Sequence, residues 1–185
     1  MAQVKLVPQN LQYADRIFEL VMNPHVSGAL GLSNQSSEDT KRFIRNVIEK
    51  EEQGLQISRV ILDEQGDVAG ITDLMFINRE EKHAHIGSWI RYDYWGKGYN
   101  QAAKEAILTI AFQQLGLEIV FAGARATNIR SQKAQEKLPY FSLHVQDEFP
   151  EQHLFLENKE KQPCVLHAVR RADFLQHLQQ KAAMR

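Results

Sequence analysis

The chain has 185 residues, 43% of them hydrophobic and 24% charged, and its 22 basic and 23 acidic side chains leave a formal net charge of -1. That length suits one soluble domain, here 1–185, that folds on its own core without disulfides or structural metal, and the near-neutral charge excludes a general nucleic-acid coat held by phosphate attraction. The single cysteine, Cys164, excludes a disulfide framework, and the absence of an apolar run near ~18 residues or of a leader-like apolar centre predicts a cytoplasmic protein with no membrane association.

Gln3 to Val7 alternates like a strand, and Leu11 to Met22 carries Leu11, Ile17, Phe18 and Val21 on a helical stripe. A loop is expected over 23–35. Ser36 and Asp39 then have capping-box spacing before a helix whose Phe43, Val47 and Ile48 would face the core, and Gly54 stops it. Leu55 to Leu62 and Val68 to Ile77 are rich in β-branched residues around a polar turn at 63–67, which predicts an antiparallel hairpin that His83 to Ile90 extends. From Asn100 the period is helical, with Ala103, Ile107, Ile110 and Ala111 on one face and Gly116 at the end. Ile119 to Ala126 reads as a buried strand, so a parallel crossover is implied. Asn128 to Leu138 is expected to be a helix stopped by Pro139. Strands at Tyr140 to Val145 and Val165 to Val169 would flank a polar segment, and Ala172 to Met184 has a short helical stripe at the end of a tail over 172–185. The whole predicts a mixed α/β fold.

Between strand and helix stands Gly96-Lys97-Gly98. Amides at such a helix start, together with the helix dipole, favour an anion such as phosphate. The spacing is not a Walker motif, because the four-residue gap before Gly-Lys-Ser/Thr is missing, and not a dinucleotide fingerprint, because Gln101 takes the place of the third glycine.

The wider run from Ile86 to Ala103, with its Trp95-Gly-Lys-Gly-Tyr99 turn, resembles the acetyl-CoA motif of the GCN5-related N-acetyltransferases, the GNAT family. It is most similar to the RimJ/RimL-type ribosomal-protein N-acetyltransferases. Asn128-Ile-Arg-Ser131 followed by Glu136-Lys-Leu138 is similar to the start and end of that family's next helix. The resemblance implies a mostly antiparallel sheet with one parallel, splayed strand pair, helices on both faces, and acetyl-CoA as co-substrate. It also implies that backbone groups of Trp89, Ile90 and Arg91 pair with the peptide-like pantetheine arm while amides of Gly96, Lys97, Gly98, Tyr99, Asn100 and Gln101 meet the pyrophosphate. Two departures stand out. Asn100 replaces the usual glycine or alanine, and Gln135 stands where many members carry a tyrosine acting as general acid.

Acetyl transfer to an amine needs a neutral amine and stabilisation of the oxyanion and departing thiolate. With ordinary pKa values, about one lysine side chain in 2,500 is neutral at pH 7 against about one α-amino group in seven, so an N-terminal acceptor demands less of a base. His83 and His85 share one strand face, and His85 lies where similar proteins often carry glutamate, so it is a candidate base; either histidine also fits a merely structural role. Without a third ligand at recognisable spacing, the pair predicts no metal site. The resemblance places Asn128 and Ser131 by the thioester, with Asn128 on the pantetheine or simply capping its helix and Ser131 donating to the departing sulfur. Asp147 and Glu148 are weaker base candidates. The acceptor is expected to be a primary amine, either a protein N-terminus or a small molecule such as a polyamine, with a non-catalytic acyl-CoA-binding or partner-binding module as the rival reading. No stable nucleic-acid binding is expected, and the protein is expected to be a monomer or homodimer.

Overall fold

The computed structural model describes residues 2–33 and 35–185, so one position of the loop expected over 23–35, residue 34, lies outside the described residues. The strands form a seven-stranded sheet in the order β1-β2-β3-β4-β5-β7-β6. The chain clusters into two compact units, residues 1–77 with 87–110, and residues 78–86 with 111–185.

The first unit opens with β1 (Lys5–Pro8), a short 3-10 turn (Leu11–Tyr13) and α1 (Ala14–Val21). Next comes α2 (Pro24–Leu30), where only a loop was expected. Its start is local chemistry: Asn23 accepts from the His25 amide and Pro24 occupies the first turn, which favours helix entry. The segment is too short to show an apolar stripe, which is why periodicity misses it.

The capping box forms at the head of α3 (Ser37–Glu52), with Ser36 Oγ accepting from the Asp39 amide and Asp39 Oδ2 accepting from the Ser36 amide. Its buried face differs from expectation: Thr40, Ile44 and Val47 are buried whereas Phe43 is exposed. Val47 is buried and Ile48 packs against the core as expected, but Ile44 rather than Phe43 fills it with Ala14, Ile17, Val21, Val60 and Ile71, leaving Phe43 on the rim. The hairpin β2 (Ile57–Leu62) and β3 (Val68–Asn78) is antiparallel as the turn chemistry predicts, and β1 pairs antiparallel with β2.

Next to β3 lies β4 (His83–Ile90). Gly70 permits their close approach, since a Cβ built there would sit 2.0 Å from the Trp89 carbonyl oxygen. On the other face of this unit, Ile61, Ala69, Ile90, Tyr99 and Ala103 form a second core that seats α4 (Tyr99–Thr109).

In the second unit a π turn (Ile110–Gln114) leads to Gly116 and then to β5 (Ile119–Arg125). Residues His83–Ile86 of β4 run parallel to Ile119–Ala122 of β5, the crossover the sequence implies. Next are α5 (Ile129–Glu136), β6 (Phe141–Ser142), α6 (Pro150–Glu160), β7 (Cys164–Arg170) and α7 (Arg171–Ala183). The strand expected over 140–145 is cut to two residues because His144 adopts a left-handed φ of 54°. The polar segment turns out to be α6. Leu154 and Phe155 are exposed and only Leu156 is buried, so α6 has no stripe for periodicity to find. Leu156 instead packs with Phe121, Val145, Leu166 and Ala168.

Candidate active site

The glycine turn of the first unit is held by an acidic clamp that the sequence did not reveal. Tyr94 donates its hydroxyl to Asp63 at 2.6 Å, Tyr99 donates to Glu64 at 2.7 Å, and the two rings stack with centroids 4.4 Å apart. Both phenols are pushed up to about 12, chiefly because each is hydrogen-bonded to a carboxylate. Arg91 reaches Asp93 through two nitrogens and Asp67 through a third, and its guanidinium lies 4.5 Å from the centre of the Tyr94 ring. Asp67 also takes Arg16 bidentately, and these hydrogen bonds hold its carboxyl well below the ordinary carboxylate range. Three acids from one hairpin turn therefore fix the segment 91–99.

Within that segment Gly96 and Gly98 have φ of 77° and 88°, conformations glycine adopts without a Cβ penalty. Gly98 is the N-cap of α4, and no side chain caps that helix. Amides of its first turn are left to an outside acceptor, in the field of the helix dipole. The Lys97 amide is already donated to the Tyr94 carbonyl, so among the predicted donors it is engaged internally. Asn100 turns its side chain along the helix and accepts from Lys104 Nζ at 2.7 Å, and burial pushes that ammonium down to about 8.

On β4, the Arg91 amide donates to Ala69 on β3, and the Trp89 carbonyl lies against Gly70 of the same strand. Alternation along a strand therefore turns the Ile90 backbone toward the opposite edge, where its carbonyl accepts from Trp95 Nε1 at 2.8 Å. The Trp89 side chain packs against the α1/α3 core.

In the second unit His85 is buried, and its Nε2 lies 2.8 Å from Gln152 Oε1, a partner on α6 far away in sequence. An amide oxygen can only accept, so Nε2 carries the proton in this pairing. The ring sits among Phe121 and Phe155, and burial lowers its pKa from the ordinary histidine value, which favours the neutral form. His83 Nε2 is 2.8 Å from Glu81 Oε2. Among the described residues no group of three or more His, Cys, Asp or Glu side chains is arranged to hold a metal ion.

Asn128 caps α5, its Oδ1 accepting from the Ser131 amide at 3.1 Å. Gln135, in the place of the tyrosine, is buried and donates to Ser131 Oγ at 3.4 Å, which leaves the serine proton available to a third group. Of the weaker base candidates, Glu148 is paired with Arg170 and Asp147 is exposed. No helix among the described residues is long and apolar enough to cross a membrane.

The chain as a whole is similar to known proteins. The family model for the acetyltransferase (GNAT) domain matches residues 3–139. A curated relative, the proposed ribosomal N-acetyltransferase YdaF of Bacillus subtilis (strain 168), is 31% identical over 75 residues, which are 40% of this chain and 41% of YdaF. The aligned stretch thus spans about two fifths of that relative. Among solved structures, spermidine N-acetyltransferase from Vibrio cholerae in complex with CoA and spermine has a TM-score of 0.72 at 14% identity, covering 94% of this chain and 98% of that one. The Salmonella typhimurium acetyl transferase that modifies the N-terminal serine of the 50S ribosomal subunit protein L7/L12 has a TM-score of 0.68 at 19% identity, covering 76% and 81%. At these identities the likeness is one of fold.

Proposed function

The chain belongs to the acetyltransferase (GNAT) domain family, and on that premise we propose that it transfers an acetyl group from acetyl-CoA to a primary amine within a ternary complex. The observation that carries this is the α4 N-terminus, whose amides have no side-chain cap and follow two left-handed glycines. Those residues fit a pyrophosphate: Gly98, Tyr99, Asn100 and Gln101 offer amides, whereas the Lys97 amide is engaged with Tyr94 and Lys97 acts at most through its charge. Gly96 supplies the turn. For the pantetheine arm, the Arg91 amide is taken by Ala69, so pairing falls to backbone groups on the Ile90 side of the strand, with Trp89 and Arg91 positioning it.

Acetyl-CoA supplies an activated thioester, so the protein needs no covalent nucleophile. Ser131, held by Gln135 Nε2 at 3.4 Å, is assigned the role of donating a proton to the departing sulfur. Asn128 caps α5 and orients its first turn. Neutral, buried His85 is assigned the role of base, and Gln152 fixes its tautomer. For the acceptor we favour a protein N-terminal α-amino group, since one neutral base and no charged dyad suits an amine that is already about one-seventh neutral at pH 7. The YdaF and Salmonella names point the same way, whereas the Vibrio enzyme keeps a polyamine acceptor as the second reading.

Thermal unfolding with acetyl-CoA, and with ATP and NAD as controls, tests the cofactor first. Ligand at about 100 times its Kd adds roughly 2.7 kcal/mol, a rise of about 5 to 10 °C for a chain of this size. A selective rise, followed by acetylation of peptide N-termini seen by mass spectrometry, supports the reading. No rise at saturating ligand overturns it in favour of a partner-binding module.

A further inference from the structure

Lys104 is a buried cation inside the first unit. It lies on α4 and is only 7% exposed, and its Nζ donates to Asn100 Oδ1 at 2.7 Å, one turn back toward the helix start. Among the described residues that neutral amide oxygen is its one hydrogen-bond partner, and it takes part in no ion pair. The placement is costly on two counts. A desolvated ammonium without a carboxylate is expensive, and the backward reach of the side chain, which follows the tilt of Cα–Cβ bonds in a helix, brings the charge toward the positive end of the helix dipole.

The same contact decides how Asn100 sits. An ammonium has three donors and no acceptor, so only Oδ1 can face it, and the flipped amide would set donor against donor. Nδ2 is therefore turned away from Lys104. It makes no hydrogen bond among the described residues and, unlike the buried orphan atoms elsewhere in the chain, it is open to solvent on a half-buried side chain. Asn100 is the second residue of α4, in the first turn that no side chain caps. An open N–H pair thus stands at the amides that await an acceptor, backed by a cation that has no anion. A glycine or alanine at this position, the residues expected from the resemblance, offers neither.

We propose that Asn100 Nδ2 donates to a pyrophosphate oxygen of acetyl-CoA and that Lys104, by holding Oδ1 of the same amide, is the positioning residue for that donor. The identity of the ligand rests on the acetyltransferase reading. Lys104 acts in two ways: it removes the flipped orientation of the amide, and a cation on Oδ1 polarises the amide so that Nδ2 donates more strongly. The negative charge of the ligand in turn offsets the cost of the buried ammonium, a cost the free protein carries alone.

The test is isothermal titration of the full chain with CoA, for the wild type, Asn100→Ala, Lys104→Met and the double variant, together with the Tm of each free protein. Asn100→Ala should weaken CoA binding roughly 10-fold or more, the loss of a hydrogen bond to a charged group. Lys104→Met should weaken it roughly 5-fold and yet raise the Tm of the free protein by about 2 to 4 °C, since it replaces an uncompensated buried charge with an apolar side chain. The double variant should bind within about twofold of Asn100→Ala, because Lys104 acts through that amide. Lys104→Met that melts lower and binds CoA as the wild type does makes the lysine structural and overturns the assignment, as do losses that simply add in the double variant. Should Lys104→Met fail to fold, the Asn100 side-chain amide signal in a 15N–1H spectrum of the wild type replaces it, identified by its disappearance in Asn100→Ala: saturating CoA should shift it, and an unmoved signal with CoA bound overturns the contact. No CoA binding by the wild type refutes the acetyltransferase reading itself, whereas undiminished binding by Asn100→Ala refutes this assignment alone.

Discussion

Gly70→Ala tests how tightly β3 holds the strand that leads into the glycine turn. An alanine Cβ at this position would lie 2.0 Å from the Trp89 carbonyl oxygen and 3.0 Å from Ile90 Cα, and both are backbone atoms that no rotamer change can move. Against an ordinary contact of roughly 3.5 Å, the two strands must part by about 1.5 Å. Overpacking of this kind costs about 1 to 3 kcal/mol, and each kcal/mol moves the midpoint of a chain this size by about 2 to 4 °C. The expected outcome is a Tm lower by about 2 to 12 °C. Parting the strands also stretches the Arg91 amide bond to Ala69, so affinity for acetyl-CoA should fall with stability. Gly28→Ala is the control: it lies in α2, a Cβ there meets nothing within 4 Å, and removing a helical glycine should stabilise by about 0.5 to 1 kcal/mol. Differential scanning calorimetry of the two variants reads both effects. A Gly70→Ala protein melting within about 2 °C of wild type would refute the close packing of β3 on β4.

Ser131→Ala should lower kcat by about tenfold or more with acetyl-CoA affinity near normal, because it removes a donor to the leaving group and spares the phosphate amides; unchanged turnover removes the residue from the mechanism. Gly98→Glu should abolish acetyl-CoA binding, since it combines a side chain at a φ of 88° with negative charge at the uncapped amides; equilibrium binding is the readout. His85 has a lowered pKa, so as a base it works above that value and is lost as pH falls through it, below about 6.5; His85→Gln should flatten that acidic limb of the kcat/KM profile, and an unaltered limb makes His85 structural. The folded-state pKa of Asp67 is depressed, so the stability it contributes is present above about pH 3.9 and is lost as pH falls further. Its side chain is 40% exposed, so Asp67→Asn should cost no more than about 1 kcal/mol after solvent screening, with the gap to wild type closing in urea melts at the acid end.

Much of the fold is legible because its signals are local. The Ser36–Asp39 box, the glycine-bearing turn at 63–67 and the left-handed glycines at 96 and 98 each act over a few residues, and each produces in the structure what its spacing predicts. Where local signals are weak the reading fails. The short α2 and the stripe-poor α6 escape periodicity, and on α3, where Val47 and Ile48 face the core as expected, Phe43 is misplaced because Ile44 takes the core position.

By itself, then, the sequence determined the strand order of the hairpin, the parallel crossover and a helix start with amides to offer, since backbone conformation and hydrophobic period are properties of neighbouring residues. Only the tertiary structure decided which side chains serve that site. The grip of Asp63, Glu64 and Asp67 on Tyr94, Tyr99 and Arg91 joins residues 24 to 35 apart, and Gln152 meets His85 across 67 positions. Such partners are chosen by strand register and helix packing, and a hydrogen bond needs its donor and acceptor within about 3 Å, a condition no spacing along the chain expresses.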